Sequence, residues 1–488
     1  MASKALLLSL AALPLVKTET VLGLYIFSRH GDRTPKALAP TNLTSLGADQ
    51  VFASGGWYRD QYVASDASSP ILGLSRDLAA LTQLAVTAPP SDNVLQNSAQ
   101  AFLQGLYPPA GDLSAQELRN ETEVTAPLGG YQYIPVNTVA TAASSAGSEN
   151  TAWLQGSSGC DNAVVSSNNY LSSTEYITAF NQSKAFYQGL LPVIDSTFAA
   201  DAATFKNAYS IFDYVDGATI HNLTIPSSDL LTNATLHELK VLANEHEFGL
   251  AYNSSDTIRA IAGATLAGQI VDALNATIAK RGAQPLTIQF GAYGVFLSFF
   301  GLAQLPAVSD DFTGVVNYAA SMAFELVTNA SVGGGAAYPS VEDISVRFRF
   351  SNGSAAAVTP TAYPLFGQDE TLLPWTTFVA QMNKFAIADT PDWCRVCGVT
   401  TGNCASTATG GINGESTSTT TSDDKKSGNN ISLPVAGVIG ALVTLAVVLG
   451  AEALIYVLAG LTLAKRSTLA AAQAGAGVGA GAGAAGKA

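Results

Sequence analysis

The run from Thr20 to Phe27 (TVLGLYIF) is unbroken, apolar and rich in β formers. That is the pattern of a strand buried on both faces in a parallel sheet. A second run, Leu286 to Phe290 (LTIQF), leads through Gly291 into an apolar, helix-like stretch ending near Leu302. If the two strands are parallel, the loops that follow them share the sheet edge where open α/β sheets hold their ligands. Between Ser254 and Gly282, apolar residues at 258, 261, 266, 270, 271, 274 and 278 keep helical spacing, with Lys280 and Arg281 in the last turn and Gly282 as the stop. This predicts a helix. Val341 to Phe350 alternates as a strand, and Asn352-Gly353 marks a turn. No repeat of solenoid length interrupts this order.

The two ends carry a different pattern. Lys4 precedes an apolar run from Ala5 to Val16, the length of a signal-peptide core and too short to span a bilayer. Residues 1–19 are therefore expected to direct export; a mature N-terminal strand is the rival. Ala405 to Asn430 is a Ser/Thr/Gly stretch that cannot pack a core, so 405–432 reads as a stalk. Leu433 to Leu463 is almost continuously apolar, broken by Pro434 and Glu452, and about 20 such residues suffice for a transmembrane helix. Lys465 and Arg466 follow it directly, whereas Asp423, Asp424, Lys425 and Lys426 cancel on the other side. The positive-inside rule then gives a single-pass type I membrane protein with a cytosolic, Ala/Gly-rich tail over 464–488. A glycolipid anchor ranks second, because such a signal should end on its apolar tail.

Composition narrows the class. With 48% hydrophobic and 12% charged residues the chain can bury a large core, and a net charge of −14 argues against nucleic acid as a partner. Ten Asn-x-Ser/Thr sequons, at Asn42, Asn120, Asn181, Asn222, Asn233, Asn253, Asn275, Asn329, Asn352 and Asn430, point to N-glycans and to the secretory pathway, with the ectodomain lumenal or at the cell surface. Asn275, inside a predicted helix, is the sequon expected to be buried or empty. Cys160, Cys394, Cys397 and Cys404 favour two disulfides, with three possible connectivities. A zinc site would need a second ligand pair near Cys394-x-x-Cys397, and none is present. No metal and no cofactor is expected.

The chemistry concentrates at the mouth of the first strand, in Arg29-His30-Gly31-Asp32-Arg33-Thr34-Pro35. Two guanidinium groups can grip a phosphate bidentately while a neutral imidazole nitrogen between them attacks phosphorus. The bland reading is a loop whose arginines pair with carboxylates. His221, His237 and His246 show no ligand spacing.

RHGDRTP directly after a strand resembles the signature of the histidine acid phosphatases, a branch of the phosphoglycerate-mutase-like superfamily. The likeness runs through most of residues 20–404, in SAQAFLQGLYPP (98–109), AIAGATLAGQI (260–270), YAASMAFELV (318–327), YPLFGQDETLLPW and MNKFAIADTPDWCRVCG; these segments look most like fungal secreted members. The resemblance implies a three-layer α/β sandwich with a mostly helical lobe inserted over about 110–235. It also implies hydrolysis of phosphomonoesters, with His30 as the nucleophile that becomes phosphohistidine and Arg29 and Arg33 holding the phosphate. The sequence departs from the family twice. The stretch Asp92-Asn93-Val94-Leu95-Gln96-Asn97-Ser98-Ala99 lacks the third phosphate arginine, and the general-acid position is occupied by Tyr293-Gly294. Two functions follow: a membrane-anchored phosphatase with weakened acid catalysis, or a catalytically inactive phosphatase-fold surface protein that binds phosphate esters or a partner.

The topology is testable directly. Protease added outside correctly oriented, sealed vesicles should spare only the segment after about Leu463; digestion of that tail while the vesicles stay intact would reverse the orientation.

Overall fold

The computed structural model describes residues 19–89, 94–138, 159–221, 226–332 and 337–405. The expected signal core, the stalk beyond Ala405, the membrane helix and the tail lie outside them.

The first strand, β1, runs from Thr20 to Arg29 with every residue after Thr20 buried. It is followed by α1 (Ser45–Tyr58), β2 (Leu84–Thr87) and α2 (Leu95–Leu106). Four longer helices come next: α3 (Asp161–Tyr170), α4 (Thr174–Gly189), α5 (Ala208–His221) and α6 (Asn233–Ala251). Then come α7 (Ile261–Ala279), β3 (Leu286–Gly291), α8 (Tyr293–Leu302), β4 (Ser321–Thr328), β5 (Ile344–Ser351), the two-residue β6 (Thr361–Ala362), β7 (Leu372–Pro374), α9 (Trp375–Met382) and α10 (Thr390–Cys397).

The sheet has the order β2-β3-β1-β4-β5-β6, with β7 also paired to β5. β1 and β3 are parallel, in register from Leu24↔Leu286 to Arg29↔Gly291. The other neighbour of β1 is β4, which is antiparallel, so the sheet is mixed. The continuous apolar run of β1 reflects cover on both faces, which either strand direction allows. Leu24 and Ile26 join a core with Val51 and Tyr58 of α1 and Phe102 of α2. Tyr25 and Phe27 face the opposite core, made with Leu266 and Ile270 of α7 and Phe296 and Phe299 of α8. This alternation makes three layers, helices on both sides of one sheet.

The predicted helix over 254–282 is a 3₁₀ turn, Thr257–Ala260, running into α7. It stops where Gly282 takes φ +77°, a left-handed conformation suited to glycine. Thr257–Ala279 is long and apolar enough to cross a membrane, but it packs into the core and leaves Asn275 exposed. The sequon expected to be buried is therefore open to solvent.

The helical lobe is α3 to α6, with a core of its own that includes Tyr187, Val193, Phe205, Ile211 and Leu239. Its last helix reaches Ala251, past the expected boundary at 235, because α6 lies against α5. Residues 110–138 are not part of it. They hold a small hairpin, Gln116–Glu117 against Glu123–Val124, and then run along β2, where the Asn137 N–H donates to the Val86 carbonyl at 2.8 Å.

All four cysteines are paired, Cys160 with Cys397 and Cys394 with Cys404, which leaves no thiol for zinc. The first bridge ties the start of the lobe to the last helix across 237 residues, the second closes only 10. Chain entropy assigns about 5 kcal/mol to the long loop and about 3 kcal/mol to the short one. Replacing Cys160 and Cys397 together by Ala should accordingly lower the melting temperature more than replacing Cys394 and Cys404. Equal losses in calorimetry would show that local packing around Trp393, and not loop length, sets the effect.

Candidate active site

The parallel pairing of β1 with β3 brings the loop after Arg29 and the start of α8 to one sheet edge. The loop is fixed by its backbone. Arg29 N–H donates to the Ala320 carbonyl and Ala319 N–H to the His30 carbonyl, each at 2.8 Å. Gly31 N–H donates to Ser98 Oγ at 3.3 Å and Asp32 N–H to Gln50 Oε1 at 2.9 Å. Gly31 is required by close approach: a Cβ there would lie 2.0 Å from the Gly47 carbonyl oxygen, so the first turn of α1 could not seat against the loop.

His30 is buried, and its Nδ1 lies 2.7 Å from the Gly31 carbonyl oxygen. A carbonyl only accepts, so Nδ1 donates its hydrogen, and in the neutral ring this puts the lone pair on Nε2. The Tyr318 ring sits 5.6 Å away. The imidazole is thus held as the tautomer a nucleophile needs.

The two arginines differ. Arg33 is 1% exposed, and Asp213 of α5 closes on it. Nη1 donates to Asp213 Oδ2 at 3.1 Å and Nη2 lies 3.0 Å from Oδ1, while Nη2 also donates to Tyr209 Oη at 3.2 Å. Asp213 further accepts from the Lys36 N–H at 2.8 Å and from Tyr318 Oη at 3.4 Å. Arg29 donates to the Val316 carbonyl, and its Cζ lies 4.5 Å from the Tyr318 ring centroid and 5.3 Å from that of Tyr293. Its Nε is buried with no hydrogen-bond partner among the described residues. Lys36 Nζ lies 5.7 Å and 5.8 Å from the Tyr209 and Tyr293 centroids. Such cation–ring contacts are worth about 0.5–2 kcal/mol each.

Tyr293 opens α8. Its hydroxyl donates to Glu247 Oε2 of α6 at 2.7 Å, and Glu247 Oε1 lies 2.8 Å from His246 Nδ1. Burial, then the Glu247 charge, pushes the phenol well above its ordinary pKa. Its only proton is held and committed to Glu247. Gly294 is in the first helical turn with no positive φ, and a Cβ there would meet nothing within 4 Å. The position is sterically open to a side chain.

His30, Arg29, Arg33, Tyr293 and Gly294 therefore gather at one edge. Of the stretch without the third arginine, Asp92 and Asn93 lie outside the described residues, while Ser98 touches the loop. Sequence reasoning missed Asp213, Glu247 and His221, whose Nε2 lies 2.7 Å from Asp32 Oδ2. Each is separated from its partner by tens to hundreds of residues, so no local signal along the chain marks these pairs. Beside Arg29 opens a cavity of about 380 Å³, lined among others by Tyr209, Asp213, Asp216, Asn317 and Tyr318.

The model of the histidine phosphatase superfamily, branch 2, matches residues 38–351, more than half of the chain, opening just after the RHGDRTP loop. No curated protein sequence matches. Among solved structures, the phytase of Citrobacter braakii is similar at 14% identity, covering 78% of this chain and 100% of its own, with a TM-score of 0.51. That likeness shows the fold. The phytase of Hafnia alvei matches at 10% identity over 78% of this chain and 98% of its own, with a TM-score of 0.49.

The buried pair yields a prediction. Asp213→Ala removes one buried carboxylate partner of Arg33, at a cost of about 3–5 kcal/mol. Added inorganic phosphate should then raise the melting temperature of the variant more than that of the unaltered chain, since an anion can take the vacated place. Equal shifts would mean that phosphate does not reach Arg33.

Proposed function

The chain belongs to branch 2 of the histidine phosphatase superfamily, and from that premise we propose that it hydrolyses phosphomonoesters through a phosphohistidine at His30. The observation that carries the reading is the His30 tautomer, with Nδ1 tied to the Gly31 carbonyl at 2.7 Å. Nε2 attacks phosphorus, the ester P–O bond breaks, and water later cleaves the P–N bond. Arg29, whose Nε has no hydrogen-bond partner among the described residues, and Arg33 hold the phosphoryl oxygens. Acid catalysis is weakened, because Gly294 has no proton and that of Tyr293 goes to Glu247. A positioned general acid contributes roughly 10²–10⁴-fold, and the deficit falls on esters with poor leaving groups.

We further propose that this is a glycosylated, single-pass type I membrane protein of the secretory pathway. Supporting it, the sequon residues Asn42, Asn120, Asn181, Asn233, Asn275 and Asn329 are all exposed, as glycan attachment requires.

A second reading, phosphate-ester or partner binding without turnover, is favoured by one feature. Asp213 already occupies Arg33 with two contacts, and a phosphate must displace it.

Full-length protein in detergent separates the two. Turnover of p-nitrophenyl phosphate should exceed that of an alkyl phosphate by at least about 10². Gly294→Asp should raise alkyl-ester turnover selectively, and His30→Ala should abolish both. Failure to hydrolyse either ester between about pH 3 and 7, with vanadate binding that depends on Arg33, would leave the second reading in place.

A further inference from the structure

A phosphoryl group attacked by His30 needs a proton for its leaving oxygen, and most acids near the site have none to give. Tyr293 donates to Glu247, and Glu247 is also engaged by His246. Asp213 is an acceptor for Arg33, the Lys36 N–H and Tyr318. Asp32 takes the Thr44 hydroxyl and His221 on one oxygen. Asp216 is different. It stands almost one turn after Asp213 on α5, lines the 380 Å³ cavity that opens on Arg29, and makes no hydrogen bond or close ion pair with the described residues.

We propose that Asp216 is the proton donor to the leaving group, standing in for the acid absent at Gly294. The inference rests on the phosphatase reading and identifies the cavity as the place of the leaving group. As the bond from His30 Nε2 to phosphorus forms and the P–O bond breaks, the Asp216 carboxyl passes its proton to the departing alkoxide. In the second half-reaction the carboxylate takes a proton from the water whose oxygen attacks phosphorus, which restores both His30 and Asp216 and releases phosphate.

The surroundings favour the neutral acid. Burial raises the Asp216 pKa most, and Asp213 and Asp32 raise it further, against Lys240 of α6 and Arg29, which lower it. A general acid works only when protonated. Alkyl-ester turnover should therefore persist as pH rises until it passes the elevated Asp216 pKa, and then fall.

The test uses full-length protein in detergent, with p-nitrophenyl phosphate and an alkyl phosphate. Asp216→Asn should slow alcohol release in a single turnover of the alkyl ester about 10²-fold and the p-nitrophenol burst far less, because hydrolysis of the phosphohistidine is common to both esters, and it should remove the high-pH limb of the alkyl-ester profile. Asp216→Glu, which keeps the carboxyl, should retain most alkyl-ester turnover. Adding Gly294→Asp to Asp216→Asn should restore it, an outcome that a structural role for Asp216 would not produce. If folded Asp216→Asn keeps the ratio of the two esters while His30→Ala is dead, the proposal falls and the phosphatase reading stands. If the unaltered chain turns over neither ester, both fall together.

Discussion

A guanidinium with 1% exposure cannot remain charged in a protein interior unless an anion meets it, and Arg33 is such a group. Asp213 supplies that anion from a different layer of the molecule. Removing one partner of a buried pair costs several kcal/mol, so the pair fixes the helical lobe against the loop at the end of β1. The other contacts follow from this placement. Asp213 also accepts from the Lys36 backbone and from Tyr318, and the same helix ends in His221, which reaches Asp32. Two acids and a histidine of one loop-and-helix junction thereby close the site on its lobe side.

The same junction explains why the site departs from a simple phosphate clamp. Cations here are not left for solvent: Arg29 lies against Tyr318 and Tyr293, and Lys36 against Tyr209 and Tyr293. The Tyr209 and Tyr293 rings lie 4.7 Å apart, tilted by 37°, and a buried Tyr hydroxyl needs an acceptor, which Glu247 provides for Tyr293.

Much of the scaffold was legible beforehand. The apolar run of β1, the LTIQF strand and the helix before it are long or strongly patterned, and burial on both faces leaves a signature that needs no partner to be seen. The position of RHGDRTP at the strand's end was equally plain, since a motif is contiguous. The direction of β4 was not, because a strand covered on both faces has the same composition whether its neighbour is parallel or antiparallel. Nor was the extent of the lobe. Residues 110–138 read as insertion, yet Asn137 pairs with the β2 edge.

By itself, then, the sequence determined the local chemistry: His30 between two arginines after a buried strand, no carboxyl at Gly294, and cysteines in even number. Tertiary structure alone decided the tautomer of His30, the commitment of Arg33 to Asp213 across 180 residues, the capture of Tyr293 by Glu247, and the pairing of Cys160 with Cys397. The reason is range. Propensity and periodicity act over a few residues and are written in order along the chain, whereas the charge state and hydrogen bonding of a buried group depend on neighbours that only folding brings within about 3 Å.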